Sequence, residues 1–114
     1  MSEKAKIRHI ALRCSNPNTL ASFYEKTFGF TIVGRTPGGA IYMSDGYINL
    51  ALLTPKEGRP FGIDHFGVQV HSFEPVKAQT NLEIASQVPG QHSEHMVHDV
   101  EGNRVDVMIE DWPH

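Results

Sequence analysis

The chain repeats itself, and the repeat limits its fold more than any other feature. Ile7-Arg8-His9-Ile10-Ala11-Leu12-Arg13 lines up with Ile63-Asp64-His65-Phe66-Gly67-Val68-Gln69, His on His and Ile on Ile. Further along, Asp45-Gly46 matches Glu101-Gly102. Tyr47-Ile48-Asn49-Leu50-Ala51-Leu52 then sits on Arg104-Val105-Asp106-Val107-Met108-Ile109, with one residue inserted. The copies span about residues 1–56 and 57–114. Two long copies predict a duplicated module, because a solenoid needs three or more stacked units. Each half reads as strand, helix and three strands, an α+β chain of two tandem βαβββ modules.

The first half is locally explicit. Alternation over Ile7–Cys14 puts Ile10, Leu12 and Cys14 on one face and His9, Ala11 and Arg13 on the other. Asn16 is the expected N-cap of a helix, with Pro17 at its first position and Gly29 closing it. Leu20, Phe23, Tyr24 and Phe28 form its apolar stripe. Strands are expected over Phe30–Arg35, Ala40–Met43 and Tyr47–Leu53, with turns at Pro37-Gly38-Gly39 and Asp45-Gly46. In the second half, strands are expected over Ile63–His71, Met96–Asp99 and Arg104–Glu110. A short helix should run from near Pro75 to about Leu82, and Pro89-Gly90 should turn. Phe66, Val68, Val70, Val105, Val107 and Ile109 are expected to face the core.

Composition narrows the function classes. With 114 residues the chain fits one domain, which hides roughly two-thirds of its unfolded surface. A net charge of −3 argues against nucleic acid or an acidic membrane as partner, since both call for a clustered basic face. The aliphatic run Leu50-Ala51-Leu52-Leu53 is far short of the ~20 residues of a membrane span. No apolar signal region follows Met1-Ser2-Glu3-Lys4-Ala5-Lys6, and a single Cys excludes an internal disulfide. The expectation is a cytoplasmic protein. Seven His in so short a chain is an excess.

The excess acquires a pattern on the faces opposite the core. There the first and fifth strands carry His9 and His65, and the fourth and eighth carry Asn49 and Asp106. Modules related by a pseudo-two-fold axis bring these positions toward one centre. Two imidazoles and a carboxylate are the ligand set of an open divalent-metal site, suited to Fe, Mn, Ni, Co or Zn. The structural alternative pairs Asp106 with Arg13 or Arg104 and links His9 to His65 through water. An unpaired carboxylate in Val105-Asp106-Val107 would be expensive to bury.

Ile7-Arg8-His9-Ile10-Ala11-Leu12 and Phe23-Tyr24-Glu25-Lys26-Thr27-Phe28-Gly29-Phe30 resemble the opening module of the vicinal oxygen chelate superfamily. That group takes in glyoxalase I, methylmalonyl-CoA epimerase, extradiol dioxygenases, and fosfomycin- and bleomycin-resistance proteins. Asp64-His65-Phe66-Gly67-Val68 resembles the start of its second module, and Asp99–Val107 its ending. The resemblance implies strands curving as a mixed sheet around one cleft, commonly in a homodimer, with clefts inside one chain or shared by exchanged modules. It places metal ligands at His9, His65 and Asp106, with Asn49 at the remaining position. The family usually has Glu where Asp106 stands, and Glu or Gln at the place of Asn49 in its isomerases.

The implied chemistry is chelation of two neighbouring oxygens of a small organic substrate by one divalent metal ion. A glyoxalase-like isomerase or lyase comes first, with Asp106 or Glu110 as catalytic base. Extradiol ring cleavage is the alternative enzyme, and a metal-free sequestering protein of the bleomycin-resistance kind is the alternative from another class. Arg13, Tyr47, Asn49, Gln69, Arg104 and Met108 share the cleft face and are expected to line the substrate pocket. His92, His95 and His98 are spaced for a metal-binding helix, but a strand there points His95 and His98 to opposite faces. Pro37-Gly38-Gly39 reads as a hairpin turn rather than a phosphate loop, and Cys14 as an inert core thiol.

Overall fold

The computed structural model describes residues 4–86 and 94–114. Along them run β1 (Lys6–Arg13), α1 (Pro17–Phe28), β2 (Thr31–Arg35), β3 (Ile41–Ser44), β4 (Asn49–Leu53), β5 (Gly62–Gln69), α2 (Glu74–Gln79), β6 (Glu83–Ser86), β7 (Glu94–His98) and β8 (Arg104–Met108). The strands form one mixed sheet in the order β2-β3-β4-β1-β5-β8-β7-β6. β1 lies parallel to β4 and β5 parallel to β8, while antiparallel pairing of β1 with β5 joins the two halves. The second half of the order mirrors the first, as a duplicated βαβββ module requires.

Helix α1 starts and stops where its caps dictate. The Asn16 side chain accepts from the backbone N–H of Asn18 and Thr19, Pro17 occupies the first turn, and Gly29 closes the helix at φ 75°. Its stripe packs differently from expectation. Ala21 seats the helix against Ile41, Met43 and Leu52, with Leu12, Cys14, Leu20 and Tyr24 around them. Phe23 and Phe28 remain 53% and 62% exposed. Ala21, not Phe23, is on the face turned to the sheet, and Phe28 is the last residue of the helix. The thiol of Cys14 is half-buried against the Leu53 carbonyl, and burial pushes its pKa up.

The second half departs further from the sequence reading. Helix α2 ends at Gln79 and has no buried residue and no side-chain cap, because it lacks the apolar stripe that would dock it. β7 begins at Glu94 rather than at residue 96, and β6 has no counterpart among the strands expected from the sequence. The expected Pro89-Gly90 turn and His92 lie outside the described residues. β8 stops at Met108, so Ile109 is largely exposed rather than in the core, whereas Val107 is buried. Phe66, Val68, Val70 and Val105 are half-buried.

Two bulges in the β1–β5 ladder shape the cleft. Ile7 pairs with Val68 and His9 with Gly67, which leaves Arg8 as the extra residue on β1. Ala11 pairs with His65 and Leu12 with Ile63, which leaves Asp64 as the extra residue on β5. Positions 8 and 64 are repeat-equivalent, so the irregularity is duplicated with the module. A bulge breaks strict alternation, so Arg8 and Asp64 sit buried beside His9 and His65 instead of behind them.

Candidate metal centre

The curved sheet forms a cup, and burial, then the charge of Glu94 on β7, push the Tyr42 phenol on β3 up. On the floor of this cup stand His9, His65 and Asp106, all buried, each with one ligand atom within 4.8 Å of the others. One chain supplies all three. His9 Nε2 lies 3.4 Å from His65 Nε2, which is 3.1 Å from Asp106 Oδ2.

Both outer ring nitrogens are already committed. Asn49 Nδ2 donates to the Pro113 carbonyl at 2.7 Å, which turns Asn49 Oδ1 toward His9, and His9 Nδ1 donates to it at 2.7 Å. His65 Nδ1 donates to Asp64 Oδ2, also at 2.7 Å. Burial works to raise the Asp64 pKa, but hydrogen bonds from His65 and Arg59 outweigh it and hold the carboxyl at about 2. A charged acceptor therefore faces His65 Nδ1. Burial is the main reason that His9 is lowered to about 4, against the opposing hydrogen bond that it donates to Asn49, so this ring is neutral at pH 7.

The consequence is a convergence of acceptors. His9 Nε2 presents a lone pair and Asp106 a carboxylate oxygen, one on each side of His65 Nε2. Only a proton or a cation reconciles them. Two imidazoles oriented by hydrogen bonds at Nδ1, together with a carboxylate, fit a divalent metal ion. Asp106 also accepts from Arg104 Nε at 2.8 Å and Nη2 at 3.2 Å. Burial opposes its ionisation, yet His65 and Arg104 hold it below the usual carboxylate range. The Arg104 pairing of the structural alternative is thus present alongside the metal-ready donor set.

The other expected pocket residues separate. Asn49 is in the centre, fully buried, as the partner of His9. Arg104 holds Asp106, and Met108 is half-buried on β8. Arg13 is turned to the Thr54 carbonyl at 2.6 Å and to Asp64 at 3.4 Å. Tyr47 precedes β4, because Asp45 Oδ1 accepts from the Tyr47 and Ile48 N–H groups, and its exposed ring packs 4.0 Å from the Arg8 guanidinium. Gln69 Nε2 donates to the Ile109 carbonyl at the rim. Glu110 lies beyond the end of β8 and is exposed, so alternation no longer carries it into the cleft. His95 packs on Phe73, whereas His98 lines the cleft side, which puts the two on opposite faces.

Three residues of the centre were not anticipated. Asp64 orients His65. Glu94, two residues from the Met96 that pairs with Asp106, shares the cleft face, and burial followed by the charge of Asp106 raises its carboxyl pKa. Trp112 lies parallel over the His9 ring, 4.8 Å away with an interplanar angle of 2°. It is the only Trp in the chain, which was the one available signal for it. Beside His65 the cleft opens into a hollow of about 440 Å³ that includes Phe66, Met96, His98, Asn103 and Arg104 in its lining. Among the described residues, no helix is long and apolar enough to cross a membrane.

Comparison with known proteins agrees with this architecture. No curated protein matches the chain in sequence. Solved structures do match in fold. A hypothetical protein, BH1468, from Bacillus halodurans C-125 superposes with a TM-score of 0.72 at 18% identity, over 98% of this chain and 99% of that one. The 2,3-dioxygenase LapB from Pseudomonas sp. KL28 gives 0.71 at 18% identity, over 95% of this chain but only 41% of its own. Methylmalonyl-CoA epimerase from Mycobacterium tuberculosis gives 0.70 at 16% identity, over 94% and 88%. A family model matches residues 6–107, and by that match this chain belongs to the glyoxalase/bleomycin resistance protein/dioxygenase superfamily.

Proposed function

We propose that this protein is a divalent-metal-dependent enzyme acting on a small oxygenated organic substrate, with proton transfer of the isomerase or lyase kind as its reaction. The observation that carries the reading is the convergence of His9 Nε2, His65 Nε2 and Asp106 Oδ2 with both Nδ1 atoms already bonded elsewhere. His9, His65 and Asp106 would hold the ion, which would polarise neighbouring substrate oxygens and stabilise negative charge developing on them. Arg104 keeps Asp106 ionised and in place. Glu94 is the proton-handling group: a half-buried carboxyl on the cleft face with a raised pKa suits a general base that must also return its proton. It replaces Glu110 in that role. The hollow beside His65 is the route for substrate, since Trp112 covers the His9 side. A homodimer belongs to the same proposal and is checked by light scattering.

Asn49 favours a second reading. Its amide is spent on His9 and Pro113, which leaves two His and one carboxylate, the donor set suited to Fe(II) and ring-cleaving dioxygenation. Metal analysis of untagged protein separates the possibilities. Nickel, cobalt or zinc near one per chain supports the isomerase or lyase, and iron supports the dioxygenase. Failure to take up any ion from a panel of divalent metals sinks both and leaves a metal-free binding protein.

A further inference from the structure

After β8 the chain turns back over its own cleft and is fastened at three points. Asp111 takes the buried Arg8 in a bidentate pair, with Nη2 to Oδ2 at 2.8 Å and Nε to Oδ1 at 3.1 Å. Arg8 reaches that side because it is the bulge residue of β1. Trp112, 6% exposed, stacks on His9. Pro113 accepts the Asn49 amide through its carbonyl.

We propose that this C-terminal tail is a working part of the metal centre: Trp112 and Pro113 are positioning residues that hold His9 with its proton on Nδ1 and its Nε2 lone pair aimed into the site. The proposal rests on the metal-centre reading above. An amide group presents an oxygen on one side and an NH2 on the other, and it settles by its neighbours. The Pro113 carbonyl accepts only from NH2, so it turns Asn49 Oδ1 to His9. Remove that carbonyl and Asn49 is free to rotate, offer NH2 to His9 Nδ1, and drive the ring proton onto Nε2, where it blocks a metal. Trp112 holds the His9 ring plane and anchors the tail that carries Pro113. The His65 side has no such dependence. Its partner is the Asp64 carboxylate, which has no donor side to turn inward and is tied to Arg59 and Arg13. The two modules thus present their imidazoles by different means, and only the first relies on the tail.

Nitrogen-15 NMR of the imidazole rings in metal-free protein at neutral pH tests this directly. Both His9 and His65 should carry Nδ1–H in the full chain. In a chain ending at Glu110, His9 should shift wholly or partly to Nε2–H while His65 keeps its form as an internal control. Zinc affinity should fall about 10- to 100-fold. Adding Asn49→Asp to the shortened chain should restore the Nδ1–H form, because a carboxylate accepts from either face. If the shortened chain does not fold, Trp112→Ala takes its place and Trp112→Phe should rescue it. An unchanged His9 proton position and unchanged zinc affinity in the folded variant would overturn the proposal. Absence of zinc binding by the full chain overturns the metal reading instead, and the ring signals still decide the relay.

Discussion

Gly67 and Trp112 meet with no room for a side chain between them. A Cβ built on Gly67 would lie 2.7 Å from both Cη2 and Cζ2 of the indole and 2.9 Å from His9 Cβ. Gly67→Ala should therefore destabilise the protein by about 1–3 kcal/mol and push the tail off the cleft. Chemical denaturation measures the first effect. The emission of the single tryptophan reads the second, as a red shift when the indole meets water.

Loss of a ligand should act on metal and on fold separately. His65→Ala and Asp106→Ala should each weaken metal binding more than 100-fold, beyond the ~10- to 100-fold typical of an orienting partner. Asp106→Ala also leaves Arg104 without its carboxylate, which should cost the metal-free protein about 3 kcal/mol. Equal metal affinity in wild type and both variants, by calorimetry, would falsify the assignment.

Asp64 anchors the second module's histidine. Asp64→Ala removes the acceptor for His65 Nδ1 and the carboxylate partner of Arg13, which is only 10% exposed and keeps its bond to the Thr54 carbonyl. A loss of stability of about 3 kcal/mol is expected, together with about 10- to 100-fold weaker metal binding. A shift in metal affinity without any shift in stability would show that Asp64 does not hold Arg13.

His9 should give the metal-free protein an acid-sensitive limb. Its folded pKa of about 4 lies below the ordinary 6.5, so between those values the unfolded chain binds more protons than the folded one. Stability is thus full above pH 6.5 and falls as pH drops toward 4, by about 3 kcal/mol in total. Denaturation curves across pH 4–7 should show this slope, and His9→Gln should remove most of it.

Glu94 separates the two chemistries. With activity in hand, Glu94→Gln should lower an isomerase or lyase turnover by about 10²–10⁴ while leaving metal content unchanged. An unaffected rate on a substrate that needs proton transfer at carbon would remove Glu94 from the mechanism.

Much of this is legible in the spacing of the residues. His9 and His65 stand at repeat-equivalent places in alternating strands, and Asp106 interrupts a run of valines, so period and duplication alone bring them to one face. The limits of α1 follow from Asn16, Pro17 and Gly29, whose effects are local to a turn of helix. What alternation could not supply were the residues that leave the pattern. Arg8 and Asp64 are placed by bulges, whose positions depend on the pairing of two strands some fifty residues apart. Glu110 lies past the end of β8, and Glu94 lies on β7 ahead of the apolar pattern over residues 96–99, so alternation points to the first and not to the second.

The duplicated modules, the family resemblance and the three converging side chains follow from residue order alone, because strand period and repeat symmetry are properties of spacing. What surrounds them is set by long-range contacts. Whether Asn49 faces a metal or His9, and whether Trp112 covers the cleft, depends on where the residues after β8 return. That return is held by Arg8, Gly67 and the Pro113 carbonyl, contacts between segments far apart in the chain.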